Sequence, residues 1–218
     1  MKLVWCPEAA SKAFVDAVKA LADCDLEDVS VAELVSALTG GWKAQLIVEA
    51  WAHDASAAIG IALRAAVGHA RGRHVCVVPD KQSATKYVDA MRRAGAPVES
   101  ESVMTGEAEE VMRELEGLDL MVVDCRRRDA GRILRAARPG PRGMVVVCKG
   151  SGRRQDGGAA GVFGAGTRVV RSTYLAIGTG VEVVHVGVGK GPSLGRGRAR
   201  WIRHVDRCTK EEHVFRRR

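Results

Sequence analysis

From residue 44 onward the chain alternates short β-branched apolar runs with longer amphipathic stretches, and few folds accommodate that rhythm. The runs are QLIVE (45–49), HVCVV (74–78), a weaker one over 99–104, LDLMVVD (118–124) and MVVVC (144–148). They are apolar almost throughout, as strands covered on both faces of a parallel sheet should be. Between them, 57–67, 83–94, 108–116 and 130–137 have the spacing of helices. Gly95 and Gly117 stand where helix C-caps are expected. Five strand–helix alternations predict an α/β protein with a Rossmann-like, doubly wound sheet.

The flanks read differently. In PEAASKAFVDAVKALAD, Pro7 suits the first helical position, and Phe14, Val15, Val18 and Leu21 recur at helical spacing. Ser30-Val-Ala-Glu33 has the spacing of a capping box, and Gly40-Gly41 is a natural stop, so a second helix is predicted between them. After Cys148 a glycine-rich stretch (149–166) reads as a loop. Two strands are expected over 167–177 and 181–188, joined by Gly178-Thr-Gly180 as an antiparallel hairpin. A Gly/Arg-rich segment (189–200) and WIRHV…EEHVFRR, read as a second short hairpin, close the chain. The expected division is 1–43 (two helices), 44–188 (Rossmann-like core) and 189–218 (basic segment), all in one globular unit.

Composition excludes several classes. With 46% apolar and 28% charged residues, the 218-residue chain is neither collagenous, nor disordered throughout, nor a small disulfide scaffold. No apolar run approaches the roughly 18–20 residues of a membrane span, and the N-terminus lacks the apolar core of a secretory signal. The six cysteines are scattered without a C-x-x-C pair, which suits a reducing compartment, cytoplasm or nucleus. Net charge is +8 but divided: residues 1–125 hold 12 Lys and Arg against 20 Asp and Glu, and residues 126–218 hold 22 against 6. A basic half joined to an acidic half points to an anionic partner.

The order of pieces resembles the S-adenosylmethionine-dependent methyltransferase fold, most closely the small-molecule O-methyltransferases of the caffeoyl-CoA type. Leu46-Ile-Val-Glu49 leading into Ala62-Leu63 is similar to their first motif. Arg92-Arg-Ala-Gly95, Gly106-Glu107-Ala108 through Leu115, and Leu118-Asp-Leu-Met-Val-Val-Asp124 are similar to three later ones. Over nearly its full length, through KLVWCPEAASKAF, GGWKAQLIVEAW, GRHVCVVPD, GEAEEVM, VVDCRR, GTRVVRS and RWIRHVD…EEHVFRR, the chain resembles a plant domain-of-unknown-function family carrying such a domain.

The resemblance implies a cofactor site from Glu49, Trp51, Asp80, Gly106 and Glu107. Transfer would proceed by in-line attack of a small-molecule nucleophile on the cofactor methyl, with His53 or Asp124 as base. Departures from the motifs bear on S-adenosylmethionine directly. Trp51 and Ala55 stand where the first motif has glycines, and Val78 ends the second strand where an acidic residue would hold ribose, leaving Asp80 as substitute. Asp124 matches one metal ligand of the metal-dependent enzymes, but Cys148-Lys149 replaces the others, and a lysine opposes a cation, so no metal is expected.

Each residue also has a plainer reading. Trp51 fills the core as a plug, His53 is a loop histidine beside an N-capping Asp54, and Asp124 pairs with one of Arg126–Arg128 or caps the next helix. GVGKGPS (187–193) fails the phosphate-loop pattern in spacing and in lacking a following helix. The alternative to an enzyme is a non-catalytic module contacting nucleic acid or another anion through Arg126, Arg127 and Arg128 and through Arg196, Arg198 and Arg200. The plain reading of those arginines is a solvated basic surface.

Overall fold

The computed structural model describes residues 5–52, 55–151, 162–163, 167–189, 201–205 and 212–216. Two helices lead: α1 (Pro7–Leu21), opened by Pro7, and α2 (Val29–Trp42). The alternation follows as β1 (Leu46–Ala50), α3 (Ala58–Ala70), β2 (Arg73–Val78), α4 (Lys81–Arg93), β3 (Val103–Thr105), α5 (Ala108–Glu114), β4 (Glu116–Leu118), β5 (Leu120–Asp124), α6 (Ala130–Ala136), β6 (Arg138–Pro139) and β7 (Met144–Lys149). It ends in β8 (Arg168–Leu175), β9 (Val181–Gly187), β10 (Trp201–Val205) and β11 (Glu212–Arg216).

Seven strands form one sheet in the order β3-β2-β1-β5-β7-β9-β8. The first five are parallel, and β9 and β8 add to β7 antiparallel, as the glycine turn predicts. β10 and β11 pair antiparallel, the second hairpin. Helices cover both faces. α1 to α4 close one core layer on Ile47, Cys76, Leu120, Val122 and Val145, and α5 and α6 close the other on Val48, Val75, Val123 and Val146. This is the Rossmann-like α/β fold that the alternation implies, with the antiparallel pair at one edge that the methyltransferase resemblance implies.

Four local expectations are corrected. The Ser30–Glu33 capping box does not form: α2 is entered through Asp28, whose backbone is left-handed (φ 63°) and whose side chain caps nothing. Gly40-Gly41 does not stop α2. A Cβ on Gly40 would lie 2.4 Å from the Ala9 carbonyl oxygen, so this glycine lets α2 cross tightly over α1. The same crossing explains why α1 buries Ala10, Ala13 and Ala17 with Leu21, while Phe14, Val15 and Val18 stay exposed. Gly117 does not cap α5, which ends at Glu114; its left-handed backbone (φ 82°) lies in β4. The run 118–124 is therefore divided, Leu118 pairing with β6 and Leu120–Asp124 entering the main sheet.

No helix among the described residues is long and apolar enough to cross a membrane.

Candidate functional site

In open α/β sheets, ligands are received beyond the carboxyl ends of the strands. At the end of β1 the register places Glu49 beside Cys76 and Val122, with its side chain in the layer under α3 and α4. Glu49 is 4% exposed. Its Oε2 accepts a hydrogen bond from the Tyr87 hydroxyl (3.3 Å) and lies 3.4 Å from His74 Nε2. Tyr87 belongs to α4 and can reach this depth because residue 60 of α3 is glycine: a Cβ there would lie 2.2 Å from its hydroxyl. Burial, with Glu49 adjacent, pushes both the Tyr87 phenol and the Cys76 thiol well up, so both stay protonated. A carboxylate removed from water needs such partners.

Trp51 follows directly. It is 5% exposed, and its indole packs edge-on against Tyr87 with ring centroids 5.7 Å apart. Its backbone N–H donates to the Val77 carbonyl (3.0 Å), and its own carbonyl accepts from Arg127 (3.0 Å). Arg127 in turn forks onto both oxygens of Asp129 (2.9 and 2.7 Å), and this pairing holds the Asp129 carboxyl below its ordinary range. One guanidinium thus bridges the ends of β1 and β5. Trp51 is buried, as the plainer reading expects of a plug, and its indole N–H has no hydrogen-bond partner among the described residues.

The β5–β7 side closes through charge. The Arg126 side chain reaches both oxygens of Asp124, from Nε (3.0 and 3.2 Å) and from its terminal nitrogen (2.6 Å), and the Arg126 backbone N–H adds 2.9 Å. Burial works against ionisation of Asp124, but these bonds and the nearby Lys149 outweigh it and hold its carboxyl below the usual carboxylate range. Lys149, itself buried, lies 2.8 Å from Asp28 and 3.8 Å from Asp124. The left-handed entry to α2 is thereby tied to the end of β7.

The other predicted residues lie apart from this network. Asp80 caps α4, accepting from the Ser83 backbone N–H at 2.7 Å. The Gly106 backbone N–H donates to the Val78 carbonyl (2.9 Å), and exposed Glu107 is the N-cap of α5 without a side-chain cap bond. His53 and Asp54, and the arginines at 196, 198 and 200, lie outside the described residues. Among the described residues no three His, Cys, Asp or Glu side chains form a group that would hold a metal ion.

The basic cluster changes character in three dimensions. Six of the eight Lys and Arg between 126 and 149 are ion-paired. Five of them meet carboxylates of the acidic half: Arg126 with Asp124, Arg132 with Glu109, Arg138 with Glu116, Arg142 with Asp119 and Lys149 with Asp28. Only Arg128 and Arg135 of that stretch have no ion pair among the described residues.

The residues that sequence reading missed are Tyr87, His74 and the Asp28–Lys149 pair. Tyr87 had one usable signal, a lone aromatic on a polar helix. The pair spans 121 positions and had none.

A family model described as a protein of unknown function, DUF1442, matches residues 1–217. No curated protein matches the chain. Among solved structures, a methyltransferase from Geobacter sulfurreducens is similar at TM-score 0.51 and 14% identity, over 81% of this chain and 89% of that one. A Podospora anserina methyltransferase bound to S-adenosylhomocysteine is similar at 0.51 and 15%, over 84% and 90%. A Bacillus cereus O-methyltransferase in complex with the same compound is similar at 0.50 and 17%, over 85% and 93%. At these identities the likeness is one of fold.

Proposed function

Since the chain belongs to the DUF1442 family, whose function is unassigned, we propose that it is a methyltransferase-like protein whose cofactor edge is closed by its own side chains, so that it binds partners and does not transfer methyl groups. The observation that carries this reading is the filled carboxyl edge of β1 and β5. Trp51 occupies the core, its carbonyl is taken by Arg127, and Glu49 is committed to Tyr87 beneath the sheet edge. S-adenosylmethionine needs bare backbone after β1 and a carboxylate for its ribose. The described residues offer neither, since Val78 is buried and Asp80 caps a helix. They do not fit the cofactor, and no transfer step is assigned to them. Asp124, held ionised by Arg126 and Lys149, is a charge anchor and a poor base.

Calorimetric titration of the full chain with S-adenosylmethionine and S-adenosylhomocysteine tests this. No heat and no thermal stabilisation at millimolar ligand are expected. A micromolar Kd for either compound overturns the reading.

A specific observation favours an anionic macromolecule as partner. With most cations of 126–149 paired internally, the excess charge of the chain falls on 150–218, which holds 14 Lys and Arg against 5 Asp and Glu. Affinity for single-stranded RNA should then fall steeply with salt, and Arg→Ala at 196, 198 and 200 should lessen the slope by roughly one per lost contact. A flat salt dependence removes that partner.

A further inference from the structure

The opposite edge of the sheet, where β1 begins, holds an open cleft of about 490 Å³. Its lining comes from three elements: Cys6, Glu8, Ala9 and Lys12 of α1 and its entry, Lys43 and Gln45 after α2, and His69, Ala70 and Arg71 at the end of α3. That volume lies in the range of small-ligand sites. Lys12 is paired with Glu8 (2.6 Å) and His69 with Asp16 (2.7 Å). Lys43 and Arg71 have no ion pair among the described residues, and both are exposed.

Their backbones add an independent observation. Lys43 (φ 48°) and Arg71 (φ 54°) are two of the three left-handed residues other than glycine among those described. Each ends a helix at a position where glycine is the unstrained choice. Strain of this kind persists where a side chain is required, and functional sites collect it. The third such residue, Asp28, presents its charge to Lys149. Lys43 and Arg71 present theirs to the cleft.

Helix capping does not account for the two cations. The Gln45 side chain donates to the carbonyls of Lys43 (3.1 Å) and Ala70 (2.6 Å), and Arg142 donates to the Lys43 carbonyl (3.0 Å). The Lys43 and Ala70 carbonyls are thus satisfied by other side chains, and the Gln45 amide fastens the two helix ends together at the cleft. We infer that this cleft binds a small phosphoryl-bearing anion, with the Arg71 guanidinium as a two-pronged donor, Lys43 as a point charge and Lys12 at the rim. The site is independent of the carboxyl edge and of whether that edge binds S-adenosylmethionine.

Pyrophosphate is the probe, at matched ionic strength against sodium chloride. At a hundred-fold excess over its Kd it should raise the Tm of the full chain by roughly 5–10 °C. Lys43→Gly and Arg71→Gly keep the left-handed backbone while deleting the charges. Each should raise the ligand-free Tm by roughly 2–4 °C and abolish most of the pyrophosphate response. A chain with Arg196, Arg198 and Arg200 changed to Ala should respond like the unchanged protein, which separates this site from the basic C-terminal segment. The inference is overturned if the unchanged protein does not respond. It is equally overturned if the glycine variants respond fully.

Discussion

On the proposed reading, the two edges of the sheet exchange the roles that the fold usually gives them. At the carboxyl edge every charged group described in the network has a partner: Asp124 with Arg126, Asp129 with Arg127, Lys149 with Asp28. At the amino edge two left-handed cations line a cleft with no ion pair among the described residues, although Lys43 is close enough to Glu8 to help hold its carboxyl below the ordinary range. A site that is to receive a charged ligand must leave charge unpaired, and a site that is to hold the fold together pairs it. At the carboxyl edge the charges are paired, while the Trp51 Nε1–H and His74 Nε2 have no hydrogen-bond partner among the described residues. On that criterion the proposed reading makes the carboxyl edge structural.

Several substitutions can break this contrast. Trp51→Ala should give the largest effect, about 3–5 kcal/mol of lost stability, because it empties part of a packed core. Chemical denaturation would measure it, and a loss under 1 kcal/mol would mean that the indole is a platform awaiting a ligand. Lys149→Met should cost about 3 kcal/mol, since it strands the carboxylate of Asp28 and removes one cation from Asp124. The double variant Lys149→Met with Asp28→Leu should recover much of that loss if the pair acts as a unit.

Asp124→Asn sharpens the same point through pH. The folded carboxyl of Asp124 is held below the usual range near 4, so its contribution is present above that pH and is lost as pH falls through the lower folded value. The variant should be less stable at pH 7, and its Tm should converge on that of the unchanged protein in the acid limb. Parallel curves with no convergence would deny Asp124 its ion pair.

The sheet was legible because buried parallel strands cannot avoid being apolar, and QLIVE, HVCVV and MVVVC advertise it within five or six residues. α2 misled for a related reason. Gly40 and Gly41 look like a stop locally, but Gly40 serves the close approach of α1 and Gly41 makes room for the Trp5 indole, which local spacing does not encode. The site was the least legible part. Glu49, Trp51 and Asp124 were found by position, yet their roles depend on Tyr87, Arg127, Arg126 and Lys149. Two of those partners lie 38 and 76 residues away from the group they satisfy. Charge counting found an abundance of arginine after residue 125 and could not see that the acidic half, folded against it, neutralises much of the first stretch.

Hydrogen exchange of the full chain, followed by mass spectrometry with saturating S-adenosylhomocysteine and separately with pyrophosphate, tests the exchanged roles of the two edges in one measurement. Pyrophosphate should slow exchange at residues 43–45 and 69–72, and S-adenosylhomocysteine should leave residues 49–52 and 124–127 unchanged. Protection of 49–52 and 124–127 by S-adenosylhomocysteine, with none at 43–45 and 69–72 under pyrophosphate, would contradict the account.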